Sequence, residues 1–270
     1  MAIEVPSWRD VDCDALCAQA RVMAFDLDGT LAVSRRPMSE GMTERFEALT
    51  SLIDVAVISG GSRALVTSQV LDVLGEGTDR SRLHVMPTSG TSYYRWHDGR
   101  WTAVYEHRLD ERERRAARES IERRARQTGA WSEKAWGNRF EDRGGQFTYS
   151  ALGQDAPIEW KQRWDPDGAR KRELAEAVAR DLPSMTVRAA GLTSVDVSLG
   201  GIDKAYAVHA LAERLGIGVE RIVFVGDRME PGGNDYPAAE AGATPIRVSC
   251  PEDTALLCDR LLASLSHDVG

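Results

Sequence analysis

The chain has little cysteine and no excess of positive charge. Its four cysteines, Cys13, Cys17, Cys250 and Cys258, form no CxxC pair and have no histidine at ligand spacing. A zinc site and a disulfide framework are therefore both poorly supported, and the four read as reduced thiols that mostly fill packing positions. The five histidines, His84, His97, His107, His209 and His267, show no metal spacing either. Lys and Arg number 34 against 42 Asp and Glu, a formal net charge of −8. Such a chain has no general attraction to nucleic acid or anionic membrane, so a phosphorylated substrate needs a local basic pocket. Long apolar runs are missing too: nothing would span a bilayer, and MAIEVPSWRD has neither the basic nor the apolar region of a leader. The expectation is a cytoplasmic protein with no membrane and no nucleic-acid partner. No repeat or low-complexity linker is present, and 42% apolar residues in 270 suffice for one large or two modest domains.

The most informative stretch is VMAFDLDGTL, Val22 to Leu31. Four apolar residues read as a buried parallel strand that delivers Asp26 and Asp28 into a Gly-Thr turn. Period-two geometry points both carboxylates one way, at the strand end where open α/β sheets bind ligands. Two adjacent acids repel unless a cation joins them, and oxygen ligands suit a divalent metal, Mg²⁺ above all. A plain polar turn would need only one acid and no apolar lead-in.

Downstream, Ser39 to Leu52 has helical spacing and Val55 to Ile58 is a second apolar strand, running into Ser59-Gly60-Gly61. A hydroxyl beside exposed backbone amides there suits a phosphoryl oxygen, although Ser-Gly-Gly is also an ordinary turn. A helix is predicted over Leu65 to Leu74 and a third strand at His84 to Met86. From Tyr93 the texture changes, with Trp96, Trp101, Trp131, Trp136, Trp160 and Trp164. Alternation in Trp101 to Tyr105, Gln146 to Leu152 and Thr193 to Val197 predicts antiparallel strands, and Asp110 to Gln127 and Asp167 to Leu182 predict helices. The first of these helices is rich in arginine, but its acids interleave at helix-pair spacing, as on a charge-balanced solvated face. Residues 91–199 thus read as an inserted α+β domain packed by tryptophans, one of which could stack on a sugar. The parallel texture returns after Gly200, where Lys204 opens a helix and Ile222 to Val225 is a strand ending in Gly226-Asp227, followed by RMEPGGNDY.

Three apolar strands therefore end in polar groups: Asp26 and Asp28; Ser59; and Asp227 with Asn234 and Asp235. As neighbours in one sheet they would outline a phosphoryl-transfer site with a metal, a lysine and a hydroxyl. In this order the motifs resemble the four motifs of the haloacid dehalogenase superfamily: DLDGT at Asp26 to Thr30, Ser59, Lys204, and GD...ND at Gly226 to Asp235. The resemblance covers the whole chain. It implies a Rossmann-like parallel-sheet core, residues 1–90 and 200–270, with an inserted α+β cap, residues 91–199, of antiparallel sheet and helices. It also implies roles. Asp26 would be the nucleophile that forms an aspartyl-phosphate, Asp28 the acid and base, and Ser59 and Lys204 the phosphoryl binders. Asp26, the backbone of Asp28 and Asp227 would hold Mg²⁺, with Asn234 and Asp235 supporting. The cap would close through joins near Gly90 and Gly200 to Gly201.

Within the superfamily the chain looks like the eukaryotic-type phosphomannomutases. FVGDRMEPGGNDY resembles their fourth motif, and SVDV at Ser194 to Val197 ahead of GIDK resembles their sugar-binding strand. Arg35 and Arg143 match substrate arginines, so Arg35, Arg143, Ser194 and Asp196 would surround a sugar phosphate. For Arg143 a surface salt bridge, and for Ser194 and Asp196 a solvent-facing strand edge, stay open as plainer readings. The chain departs from the family where Gln154 and Lys161 replace two arginines of the distal-phosphate grip. Gln cannot make a charged fork and Lys binds as a point charge. A mutase needs that second clamp and a hydrolase does not. The expectation is thus a Mg²⁺-dependent sugar- or polyol-phosphate phosphatase, with phosphomannomutase as the alternative and a non-catalytic sugar-phosphate binder as a third reading. The sequence leaves the specific sugar and the oligomeric state open, a homodimer among the options.

Overall fold

The computed structural model describes residues 3–267; the outermost residues of the expected core segments, 1–2 and 268–270, lie outside them. In chain order the strands are β1 (Val22–Phe25), β2 (Asp54–Ile58), β3 (Leu83–Met86), β4 (Ser92–His97), β5 (Arg100–Glu106), β6 (Phe140–Asp142), β7 (Gln146–Ser150), β8 (Met185–Ala190), β9 (Ser194–Leu199), β10 (Ile222–Gly226) and β11 (Thr244–Arg247). The helices are α1 (Cys13–Gln19), α2 (Glu40–Leu52), α3 (Arg63–Val66), α4 (Glu111–Gln127), α5 (Ile158–Trp164), α6 (Ala169–Asp181), α7 (Lys204–Leu215), α8 (Tyr236–Glu240) and α9 (Pro251–His267). They form two compact units, Met1–Tyr105 with Asp203–Gly270, and Glu106–Ile202.

The first unit carries a sheet of order β11-β10-β1-β2-β3-β4-β5, parallel from β11 to β3. Strand β1 is central because its four residues, 0% exposed, can be buried on both faces. Met23 and Phe25 face a core shared with α1, α2 and α9, while Val22 and Ala24 face one shared with α7 and α8. Cys13, Cys17 and Cys258 fill the first of these cores, as packing residues. From β1 the chain winds to β2 and β3 on one side and later returns to β10 and β11 on the other. The strand order therefore reverses beside β1, where such sheets open a crevice at their carboxyl ends.

Two expectations need correction here. The tryptophan-rich segment does not begin the inserted unit, because β4 pairs antiparallel with β3 through His84↔Arg95 and Val85↔Tyr94. The hairpin β4–β5, with Trp96 against Trp101 at 5.3 Å, extends the core sheet instead. The units therefore part after Tyr105 rather than near Gly90, whose carbonyl accepts from the Tyr105 hydroxyl at 3.0 Å within the core unit. The helix predicted over Leu65 to Leu74 is also different. It is α3 followed by a π-helical turn, Thr67–Leu71, closed by the Asp72 amide on the Thr67 carbonyl at 2.9 Å.

The second unit has an antiparallel sheet of order β6-β7-β9-β8. One face, with Phe147, Tyr149, Val195 and Val197, is covered by Ile121 of α4 and Leu174 and Val178 of α6. The arginine-rich α4 starts with a capping box, Asp110 and Glu113, and carries Arg115–Glu111 and Arg118–Glu122 pairs one turn apart. Asp181 ties α6 to α4 by accepting from Ser120, Arg123 and Arg124. That balance of charge fits a structural face rather than a nucleic-acid surface.

Candidate functional site

Register brings the motif ends level. Phe25 pairs with Val225 on one side and Val57 on the other, so Asp26, Gly226 and Ile58 emerge side by side. The Asp26 amide continues the ladder on the Val225 carbonyl at 2.9 Å. Asp26 is 4% exposed. Its carboxylate accepts from Lys204 Nζ, which also donates to Asp235. Lys204 is the first residue of α7, and Asp203 caps that helix by accepting from the Ala205 and Tyr206 amides at 2.9 and 3.2 Å. The lysine is thus fixed by its helix start, with 1% exposure.

Asp235 is held at both oxygens, by Lys204 and by the Arg228 amide at 3.0 Å, and Asn234 Nδ2 lies 3.4 Å away. Oxygens of Asp26, Asp227 and Asp235 gather within 4.8 Å of one another. Burial, reinforced by Asp235 and Asp227, pushes Asp26 up to about 8 despite Lys204. Burial and Asp235 push Asp227 up to about 6. Lys204 is raised as well: burial, its largest influence, opposes its charge, but Asp235 and Asp26 together outweigh it. Oδ1 of Asp227 is buried and has no hydrogen-bond partner among the described residues. An unsatisfied carboxylate oxygen beside two further acids fits a hard divalent cation, and all donors are the oxygens Mg²⁺ prefers. Gly29 keeps that space open. Its φ is +91°, and a Cβ there would stand 2.6 Å from Asp227 Oδ2.

Asp28 lies apart from this cluster. Strand β1 stops at Phe25, and the chain turns as the amides of Thr30, Leu31 and Ala32 converge on the Leu27 carbonyl. The turn, not strand alternation, therefore aims Asp28. Its Oδ1 accepts from the Arg35 amide at 2.9 Å and from Gln69 Nε2 at 3.1 Å. Arg35 itself has φ +62°, a left-handed conformation that brings its amide to this carboxylate. Gln69 is a residue that sequence reading missed. Its one signal was a polar side chain between Val66 and Val70, on the apolar side of a helical stretch.

Ser59 is 1% exposed and its Oγ accepts from the Gly61 amide at 3.0 Å, leaving the hydroxyl proton for another acceptor. Gly60 lies between these two residues at the end of β2. The loop is braced from behind by the Ser89 and Thr88 amides, on the carbonyls of Ser59 and Gly61, each at 2.8 Å.

In the second unit the polar face of the sheet carries Thr148 opposite Asp196 and Ser150 opposite Ser194. Asp196 accepts from Thr148 Oγ1 at 2.7 Å; burial raises its pKa while Arg143 opposes the rise. Arg143 donates to Glu141 at 2.8 Å. Lys161 Nζ donates to the Gln154 carbonyl at 2.9 Å, so these two residues are neighbours.

Comparison with known proteins agrees with this layout. A family profile described as eukaryotic phosphomannomutase matches residues 133–264. The Saccharomyces cerevisiae phosphomannomutase is 24% identical over 246 residues, 89% of this chain and 93% of its own length. The Encephalitozoon cuniculi phosphomannomutase is 26% identical over 250 residues, 90% and 94% of the two chains. Among solved structures, a Plasmodium falciparum IMP-nucleotidase superposes with a TM-score of 0.68 at 13% identity, covering 94% of this chain and 70% of that one. An Aspergillus fumigatus trehalose-6-phosphate phosphatase does so at 0.57 and 15%, covering 96% and 100%. In sheet topology the chain has the fold of these phosphatases, and in sequence it resembles the eukaryotic-type phosphomannomutases of the haloacid dehalogenase superfamily.

Proposed function

We propose that the chain is a phosphotransferase of hexose phosphates, working through an aspartyl-phosphate on Asp26 and acting as a phosphohexomutase. The observation that carries the chemistry is the buried Asp26–Lys204–Asp235 bridge beside the orphan oxygen of Asp227. Lys204 holds Asp26 in place and offsets the charge of an incoming phosphoryl group, to which Ser59 and the Gly60 region donate. Asp26 attacks phosphorus, the ester P–O bond breaks, and Asp28 gives its proton to the departing sugar oxygen. In the second half Asp28 takes a proton from the incoming hydroxyl, which accepts the phosphoryl group from Asp26. Mg²⁺, held by Asp26, Asp227 and the Asp28 main chain with Asn234 and Asp235 supporting, would neutralise the charge that builds between carboxylate and phosphate.

The choice of acceptor rests on likeness to proteins named phosphomannomutase along about nine-tenths of both chains. Arg143, Ser194 and Asp196 in the second unit are the proposed sugar-phosphate contacts, and Arg35 in the first unit is a further candidate. The hydrolase reading is kept as the second, because Gln154 and Lys161 stand where the family grips a distal phosphate with arginines. Mannose 1-phosphate supplied with Mg²⁺ and a hexose bisphosphate activator, with 6-phosphate and free phosphate both quantified, tests the pair. Mannose 6-phosphate exceeding released phosphate supports the mutase. Phosphate release alone supports the hydrolase, and turnover by neither route, or activity retained in Asp26→Asn, overturns both.

A further inference from the structure

Gln69 stands outside the residues assigned above, yet it touches the proposed acid–base group. It is 1% exposed and sits in the π-helical turn Thr67–Leu71. Its Nε2 donates to Asp28 Oδ1 at 3.1 Å and to the Arg36 carbonyl at 3.0 Å, while its own main-chain carbonyl accepts from Met38 at 2.9 Å. Two acceptors at Nε2 fix which end of the amide faces Asp28. Oδ1 of Asp28 then carries two donors, Gln69 Nε2 and the Arg35 amide. The proton in transit therefore belongs on Oδ2.

A core-filling role explains Gln69 poorly. Its Oε1 is buried without a hydrogen-bond partner among the described residues. A buried acceptor left without a partner is destabilising, a cost that a methionine or leucine of similar size would avoid. The π turn is itself an irregularity of the kind that recurs at functional sites, and here it is what places residue 69 over Asp28.

We propose that Gln69 is a positioning residue for the acid–base step: it sets the rotamer of Asp28, with Oδ2 facing the oxygen that leaves or arrives, and it clamps the Arg35 loop to the same carboxylate. This rests on the reading of Asp26 and Asp28 as nucleophile and acid–base. In the balanced step the Asp26–phosphorus bond forms, the ester P–O bond breaks, and the proton passes from Asp28 Oδ2 to the leaving oxygen. A sugar oxygen is a poor leaving group and needs that proton. Nitrophenolate does not.

The test compares Gln69→Met and Gln69→Asn with wild type on mannose 1-phosphate and on p-nitrophenyl phosphate, whose nitrophenolate release reports transfer to Asp26 whatever accepts the phosphoryl group next. Losses of about 30- to 100-fold are expected on the sugar phosphate and of less than about threefold on the aryl phosphate. In an Asp28→Asn background the Gln69 substitution should have no further effect on the sugar phosphate. Equal losses on both substrates, no loss on the sugar phosphate, or full additivity with Asp28→Asn would each overturn the assignment. A wild-type protein that transfers from neither compound overturns the catalytic reading and this assignment together.

Discussion

Lys204 donates to Asp26 with the two side chains 1% and 5% exposed. So dry a pair is stabilising only while both members are present, since either one alone is an uncompensated buried charge. Lys204→Met should cost roughly 3–5 kcal/mol in urea unfolding near pH 9. The share of that cost owed to Asp26 should shrink toward pH 6, because Asp26, already pushed up to about 8 by burial, then folds protonated, while Asp235 still lacks its lysine. Phosphoryl transfer should fall at least about 100-fold, as a neutral or misplaced Asp26 is no nucleophile. A variant as stable as wild type at high pH would contradict the pairing.

The metal should show itself through pH. Asp26 and Asp227 keep their protons in the folded protein to about 8 and about 6, whereas the unfolded chain releases them near 3.8. Between those limits the folded state binds more protons, so the stability of the metal-stripped protein falls as pH rises through that window. A divalent cation competes with the same protons, so its stabilising effect grows in the same direction. Thermal melts in chelator should decline from about pH 5 to about pH 8, and the increment on adding Mg²⁺ should rise over that range. An increment independent of pH would argue against carboxylate ligation.

The parallel core strands were legible because apolar runs such as Val22 to Phe25 and Ile222 to Val225 leave no doubt about burial, and the register that sets Asp26 beside Gly226 and Ile58 follows once those strands are neighbours. Other features depended on geometry beyond the strand pleat. Alternation aims a side chain only while the strand lasts, and β1 ends before Asp28, so a local turn decided where that carboxylate went. The β4–β5 hairpin has the aromatic texture of the inserted domain, but its partner strand β3 assigns it to the core. Gln69 was hidden because its function depends on one π turn that spacing alone does not announce.

Gly29 offers a narrower test of the proposed metal site, through the Asp227 oxygens it keeps clear. Gly29→Ala demands a left-handed alanine, costing about 1–2 kcal/mol, in addition to displacing Asp227. The displaced carboxylate is the informative part, since Asp227 Oδ2 lies 2.6 Å from the new methyl carbon. The expected outcome is a folded variant whose Mg²⁺ requirement rises about tenfold or more, read from activity and from melting temperature as Mg²⁺ is titrated. Unchanged Mg²⁺ dependence would remove Asp227 from the ligand set.

The acceptor question turns on the neighbours Gln154 and Lys161. Lys161 spends one donor on the Gln154 carbonyl at 2.9 Å, and neither residue presents the planar fork that grips a phosphate bidentately. If the bisphosphate intermediate must turn over while its far phosphate stays held, that grip limits isomerisation more than it limits release to water. Gln154→Arg with Lys161→Arg should therefore raise the ratio of mannose 6-phosphate formed to phosphate released, by about three- to tenfold, and tighten the response to bisphosphate activator. The first transfer to Asp26, read with p-nitrophenyl phosphate, should be unaffected, because that substrate carries no second phosphate to grip. A ratio that stays constant would mean that the acceptor is chosen elsewhere on the cap, and Asp196 with its Thr148 and Arg143 neighbours would be the next place to alter.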